Sequence, residues 1–194
     1  MHHVTKSRCL AAQWGFSLIE VLVSVIISSL GLVGVFGLHV YAKRASLESF
    51  NHTNAITLAS DLIERIRLNP NQQRNYAGIY GAGLEPEPSQ SCAMVAGSAN
   101  HCSEAELLRW DRHQWEQQIM GLSEQRQGQW LGASKHLLGC VYVDDINVEV
   151  VLTWASLGGS SDAAQNHNEN AKQCGTAGAK RRQVVLTTMV MDSL

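Results

Sequence analysis

The chain has 194 residues, which suits one domain with one core. Lys plus Arg is 15 and Asp plus Glu is 17, so the net charge is −2 and the basic surface of a non-specific nucleic-acid binder is excluded. The cysteines are Cys9, Cys92, Cys102, Cys140 and Cys174.

Residues 1–15 carry Lys6 and Arg8, and the first acid in the chain is Glu20. From Val21 to Ala42 there is no Asp, Glu, Lys or Arg. As a helix that run is about 33 Å long, enough to cross the hydrocarbon core of a bilayer. An ordinary secretory signal has its small-residue cleavage site after the apolar run and loses that run. Here the small residue Gly15 stands before it. A cut at Gly15-Phe16 would remove the basic leader and keep the apolar helix, now starting at Phe16. It would also remove Cys9 and leave an even number of cysteines. Losing Lys6 and Arg8 takes the cations from 15 to 13 against 17 acids, a balance of −4. The basic leader places the N-terminus in the cytoplasm and the bulk of the chain outside it. Lys43 and Arg44, beyond the far end of the span, weigh weakly the other way.

A carboxylate at the edge of a membrane span is unusual and asks for a functional partner. For Glu20 that partner would be a new α-amino group at Phe16 of a neighbouring copy. Within the span, Ser24, Ser28, Ser29, Gly31, Gly34 and Gly37 let helices approach closely, and the glycines also weaken the helix. Close packing and a local kink near Gly31 to Gly37 both remain open on sequence grounds.

From Leu38 to Asn69 there is no Gly or Pro. Leu47, Phe50, Ala55, Leu58, Leu62 and Ile66 form one apolar stripe, so residues 43–69 read as the amphipathic continuation of the same helix. Pro70 ends it. The whole helix, from about 17 to 68, would measure roughly 78 Å. Residues 69–102 read as a loop, broken by Gly78, Gly81, Gly83, Pro86 and Pro88. Ser103 to Glu106 reads as a capping box, opening a helix over 104–120 with Leu108, Trp115, Ile119 and Leu122 on its buried face. Residues 123–135 are polar and turn-like.

The period then changes to two, and strands are expected near 137–143, 146–154 and 183–191. Asp144-Asp145 would make the turn of a hairpin. Ile146, Val148, Val150, Leu152 and Trp154 point to one face, and Asn147, Glu149, Val151 and Thr153 to the other. Residues 155–180 read as a long exposed loop, and Lys180-Arg181-Arg182 as a solvated strand end. The expected fold is α+β: a long N-terminal helix, membrane-spanning over 16–42, packed through its second half on a small three-stranded antiparallel sheet within a head of residues 70–194. The four cysteines left after the cut allow three pairings, among which Cys92–Cys102 and Cys140–Cys174 suit the order of elements.

The stretch Gly15-Phe16-Ser17-Leu18-Ile19-Glu20, with its basic leader and apolar run, resembles the type IV prepilin signal. The resemblance implies cleavage after Gly15 by a membrane prepilin peptidase, N-methylation of Phe16, and assembly into a helical filament through Glu20. Leu58 to Asn69, and a Trp-bearing helix over 107–120 ahead of Gly139-Cys140-Val141, are most similar to the PilV group of minor pilins. Such minor pilins prime pilus assembly with other minor pilins and the major pilin, sit at one end of the pilus, and support twitching motility and adhesion. The resemblance also implies an inner-membrane location before assembly, with the head in the periplasm, and a pilus location afterwards.

Type II secretion pseudopilins share the signal and the helix. A membrane-anchored extracytoplasmic enzyme and an unrelated single-pass protein share only the anchor. His101 and Cys102, with Cys92 and His113, can be drawn as a zinc site, but no CxxC or HxxxH unit is present. No nucleophile elbow or phosphate loop appears. The expectation is therefore a structural subunit with no cofactor, no metal and no nucleic-acid partner.

Overall fold

The computed structural model describes residues 15, 17–84, 86–93, 101–122, 125–126, 129–130, 137–159 and 161–191. Residues 1–14, which hold most of the expected leader, lie outside them, as do Phe16 and most of 123–135. The chain divides into two compact units, one up to Arg44 and one from Ala45 onward.

Helix α1 spans Leu18–Leu68 and is unbroken across Gly31, Gly34 and Gly37. In the first unit every described residue is exposed, including Leu18, Leu32, Phe36 and Leu38. Serine hydroxyls there turn back to the helix itself: Ser24 Oγ donates to the Glu20 carbonyl (2.7 Å) and Ser29 Oγ to the Ile26 carbonyl (2.8 Å). Such self-satisfaction lets polar side chains sit on an apolar helix at little cost.

In the second unit α1 buries Asn51, Ala55, Leu58, Ala59, Leu62, Ile63 and Ile66. The expected stripe is thus corrected at its start, because Leu47 and Phe50 are exposed and burial begins at Asn51. Ala55 and Ala59 bring the helix close to its cover, and Leu62 and Ile66 fill the space beyond. The residues after Pro70 are not a plain loop. A 3-10 turn runs over Pro70–Tyr76, and β1 follows at Gly78–Tyr80.

Helix α2 spans Glu104–Ile119. Ser103 caps it: its hydroxyl accepts from Glu106 N, and Glu106 Oε2 accepts from Ser103 N at 2.8 Å. Short strands β2 (Gln125–Arg126) and β3 (Gln129–Trp130) pair with each other. Strands β4 (Leu138–Asp144), β5 (Asn147–Ala155) and β6 (Arg181–Met189) complete a four-stranded antiparallel sheet of order β1-β4-β5-β6. The expected three strands are therefore four, with β1 added at the β4 edge. The register pairs Asp144 with Asn147, so the turn residues are Asp145 and Ile146, one place later than expected. Asp145 takes φ 54°, a left-handed value that Asp tolerates better than most side chains.

One sheet face packs on α1 and α2 through Val141, Val148, Val150, Leu152, Trp154 and Val184. Trp115 is the wedge between layers. Its Nε1 donates to the Leu58 carbonyl at 2.9 Å, and its ring lies edge-on to Tyr80 with centroids 4.8 Å apart. Gly139 makes room for it, since a Cβ there would stand 2.7 Å from Trp115 Cη2.

The other face is covered too. Residues 156–180 hold a 3-10 turn at Ala163–Asn166 and helix α3 at Glu169–Gln173, so they are not an exposed loop. Ala171 and Cys174 pack with Cys140 and Val151 in a second small core. Cys140 and Cys174 form a disulfide there, and Cys92 pairs with Cys102. The middle strand β5 is therefore buried on both faces from Val148 to Trp154.

The basic cluster at the start of β6 is likewise not a solvated end. Arg181 is 6% exposed. It grips Asp162 with Nε (2.7 Å) and Nη2 (2.8 Å) and donates to the Lys172 and Cys174 carbonyls. Arg182 lies 3.6 Å from Glu48 of α1. The Arg181 hydrogen bonds, helped by the Ala164 and Gly178 amides, pull the Asp162 carboxyl down to about 2. A carboxyl lowered in the fold from an ordinary value of about 3.9 stabilises fully above that value and loses the contribution as pH falls towards 2. The covering segment 156–180 should therefore loosen between about pH 4 and pH 2. Limited pepsin digestion over that range should cut it before the rest of the head. Asp162→Asn should cut equally at both ends of the range, and an unchanged pH dependence in that variant would rule out this carboxyl as the cause.

Candidate functional site

Two regions carry the function-related geometry, and each lies within one unit. The first is the N-terminal segment. Gly15 is exposed, with nothing within 4 Å of the place a Cβ would take. Phe16 lies outside the described residues. Ser17 starts α1 by accepting from Glu20 N (3.0 Å) and Val21 N (3.2 Å). Glu20 thus sits in the first turn, where unpaired amides favour a carboxylate. Beyond it comes a helix long and apolar enough, by length and composition, to cross a membrane, with none of its apolar window buried among the described residues. So large an apolar surface is not stable in water; it needs lipid or other helices around it.

The second region ties the C-terminal end of α1 to α2. Arg65 donates to Asp61 (2.8 Å), Asp111 (2.9 Å) and Gln114 (3.0 Å). Tyr76 Oη donates to the other Asp111 oxygen at 2.7 Å. Burial, and then the bond to Asp111, push the Tyr76 phenol well above its usual range, so it stays a donor at any ordinary pH. Asn69 Nδ2 donates to the Glu104 carbonyl at 2.9 Å, and the Gly81 amide to Glu116 Oε1 at 2.6 Å. Asp111, His113 and Glu116 are all buried on α2. Sequence reading took only the apolar face of that helix. The available signal was the Asp61–Arg65 pair near the end of α1, where a charge on the buried side needs a partner.

The residues drawn as a zinc site are not brought together. Cys92 and Cys102 are joined to each other, and His113 lies on α2 with its Nε2 3.0 Å from Gln117. Among the described residues no three His, Cys, Asp or Glu are placed to hold a metal ion. The described geometry is an exposed apolar helix in the first unit and, in the second, a head tied to the last turns of α1.

Comparison with known families agrees with this class. Residues 12–36 match the family model described as the prokaryotic N-terminal methylation motif. Residues 37–113 match the model described as type IV pilin Tt1218. Neither a curated protein nor a solved structure matches the chain significantly. The two matched stretches adjoin and support the type IV pilin family, with a pilin-like α+β fold. The chain is thus similar to a component of a pilus or of a pseudopilus, in a family whose members are structural and not enzymatic. The methylation motif implies processing by a prepilin peptidase and assembly with other pilins, and the apolar helix membrane anchoring.

Proposed function

We propose that this chain is a minor pilin of the PilV kind, cut after Gly15, methylated at Phe16, and held in the inner membrane with its head in the periplasm until assembly. It then joins other minor pilins and the major pilin to prime the pilus, and so supports twitching motility and adhesion. The observation that carries this reading is the uncovered apolar half of α1, behind the matched methylation motif, with Glu20 in its first turn.

On this reading Glu20 serves assembly. At the edge of the span its desolvation is partial, so the bilayer tolerates it while the subunit waits. In a filament core an unpaired carboxylate is costly, and the amino group of Phe16 on an adjacent subunit offsets that cost and sets the axial register of the two helices. Glu20→Ala should insert normally and lose its leader normally, yet surface pili should fall by about tenfold or more once that buried pair cannot form. Gly15→Val should instead leave uncut precursor. The measurement is processing, membrane level and surface pili together in a strain lacking the wild-type copy. Normal piliation at normal protein level in Glu20→Ala would reject the assembly role. Loss of secretion with intact pili in a strain lacking the protein would move the reading to a type II secretion pseudopilin.

A further inference from the structure

The two disulfides stand in different surroundings. Cys140 and Cys174 are 1% and 0% exposed. Cys140 sits inside the sheet, on β4, paired with Ile79 of β1 on one side and Val151 of β5 on the other. It cannot leave that place without breaking two ladders of hydrogen bonds. The covering segment buries it through Ala171 and Cys174, with Leu138, Tyr142 and Val185 packed against them. Cys92 and Cys102 are both only half-buried, and neither belongs to either core.

Polar contacts hold Cys174 against the sheet. Arg181 Nη1 and Gln183 Nε2 both donate to its carbonyl, at 3.2 Å and 3.1 Å. Gln183 Nε2 also donates to the Ala171 carbonyl at 2.7 Å. Asn168 caps α3 by accepting from Ala171 N at 3.0 Å. Asn168 and Asn170 donate in turn to the buried Glu149 of β5. The contacts with Arg181, Gln183 and Glu149 join segment to sheet, so they form only when residues 156–180 lie down on it.

Thiol–disulfide exchange proceeds by attack of a thiolate on a sulfur, through a mixed disulfide, so an outside partner must touch one of the two sulfurs. In the closed head, burial keeps such a partner from both sulfurs of Cys140–Cys174.

We infer that Cys140–Cys174 is a one-way latch: a disulfide donor closes it while residues 156–180 stand off the sheet, and closing buries it beyond the reach of thiol reductants. One cysteine thiolate attacks the donor's disulfide, forming a mixed disulfide and releasing one donor sulfur as a thiolate. As the segment lies down, the other cysteine thiolate attacks the chain's own sulfur and expels the second donor sulfur. The chain gives up two protons and two electrons, and the donor leaves reduced, as two thiols. The latch is a property of the head and stands without the pilin reading.

The test uses full-length protein in detergent carrying Cys9→Ser, so that the four cysteines of the two bridges are the only ones. Oxidised protein is exposed to dithiothreitol, and free thiols are trapped with a maleimide and mapped by peptide over time. Cys92–Cys102 should open about tenfold or more faster than Cys140–Cys174. Asn168→Ala removes the α3 cap and one set of bonds to Glu149 without touching either sulfur. It should speed the opening of Cys140–Cys174 about fivefold and leave Cys92–Cys102 unchanged. In the other direction, protein reduced in urea and diluted into oxidised glutathione should keep 156–180 open to protease until Cys140 and Cys174 join. Equal opening of the two bridges would overturn the latch. So would an Asn168→Ala rate equal to wild type, or one raised equally at both bridges. Protease resistance of 156–180 before the bond forms would overturn it as well, because closure would then not wait for the donor.

Discussion

Asp111→Ala is expected to destabilise the head by about 3–5 kcal/mol, the usual cost of breaking a buried ion pair by removing one partner. Asp111 is 4% exposed and accepts from both Arg65 and Tyr76. Its loss strands a guanidinium that keeps only Asp61 and Gln114, and a buried phenol with no strong acceptor. Asp111→Asn keeps the shape and one acceptor oxygen but loses the charge, so it should fall between the two. Urea denaturation of the detergent-solubilised protein, followed by tryptophan fluorescence, reads the effect. A midpoint within error of wild type for Asp111→Ala would show that the junction of α1 with α2 is held by packing alone. On the proposed reading the same variant should leave leader processing intact, because the proposed cut at Gly15-Phe16 lies in the other unit.

Replacing both Cys140 and Cys174 by alanine should cost nearly as much, by a different route. The bridge closes a sequence separation of 34, for which chain entropy predicts a loss of about 4 kcal/mol. It is also fully buried and forms half of the small core over Val151. The expected picture is local: residues 156–180 leave the sheet, Val151 meets water, and proteases cut between Ser156 and Lys180 while α1 and α2 stay protected. Removing Cys92 and Cys102 should cost less, because their separation is 10 and neither belongs to the second core. Equal protease resistance of 156–180 with and without the Cys140–Cys174 bridge would assign its attachment to Arg181 and Asp162 instead.

Local patterns reported what depends on neighbours in sequence. The uncharged run from Val21 to Ala42 is about 33 Å long as a helix, the length that crosses a bilayer, and so it marked a candidate span. Ser103 and Glu106 announced the start of α2, since both caps act within one turn. The alternation from Val148 to Trp154 marked a strand and told which residues share a face.

What only the tertiary structure decided is where each pattern meets its cover. Leu47 and Phe50 continue the apolar stripe in sequence, but burial of α1 begins only at Asn51 and both stay exposed. Gly78 to Tyr80 is too short to show a period, and becomes a strand because β4 offers it a partner. Residues 156–180 are small and polar and look like loop. Their few apolar contacts, Ala164, Ala171 and Cys174, bury only because a disulfide and a gripped arginine hold them against the sheet. Arg181 reads as surface charge, and its burial depends on Asp162, 19 residues away. The long apolar helix, the caps and the strand faces follow from patterns within a few residues, and so the chain alone determined them. The second sheet face and the buried polar junction depend on contacts between distant residues, and only the fold could place those.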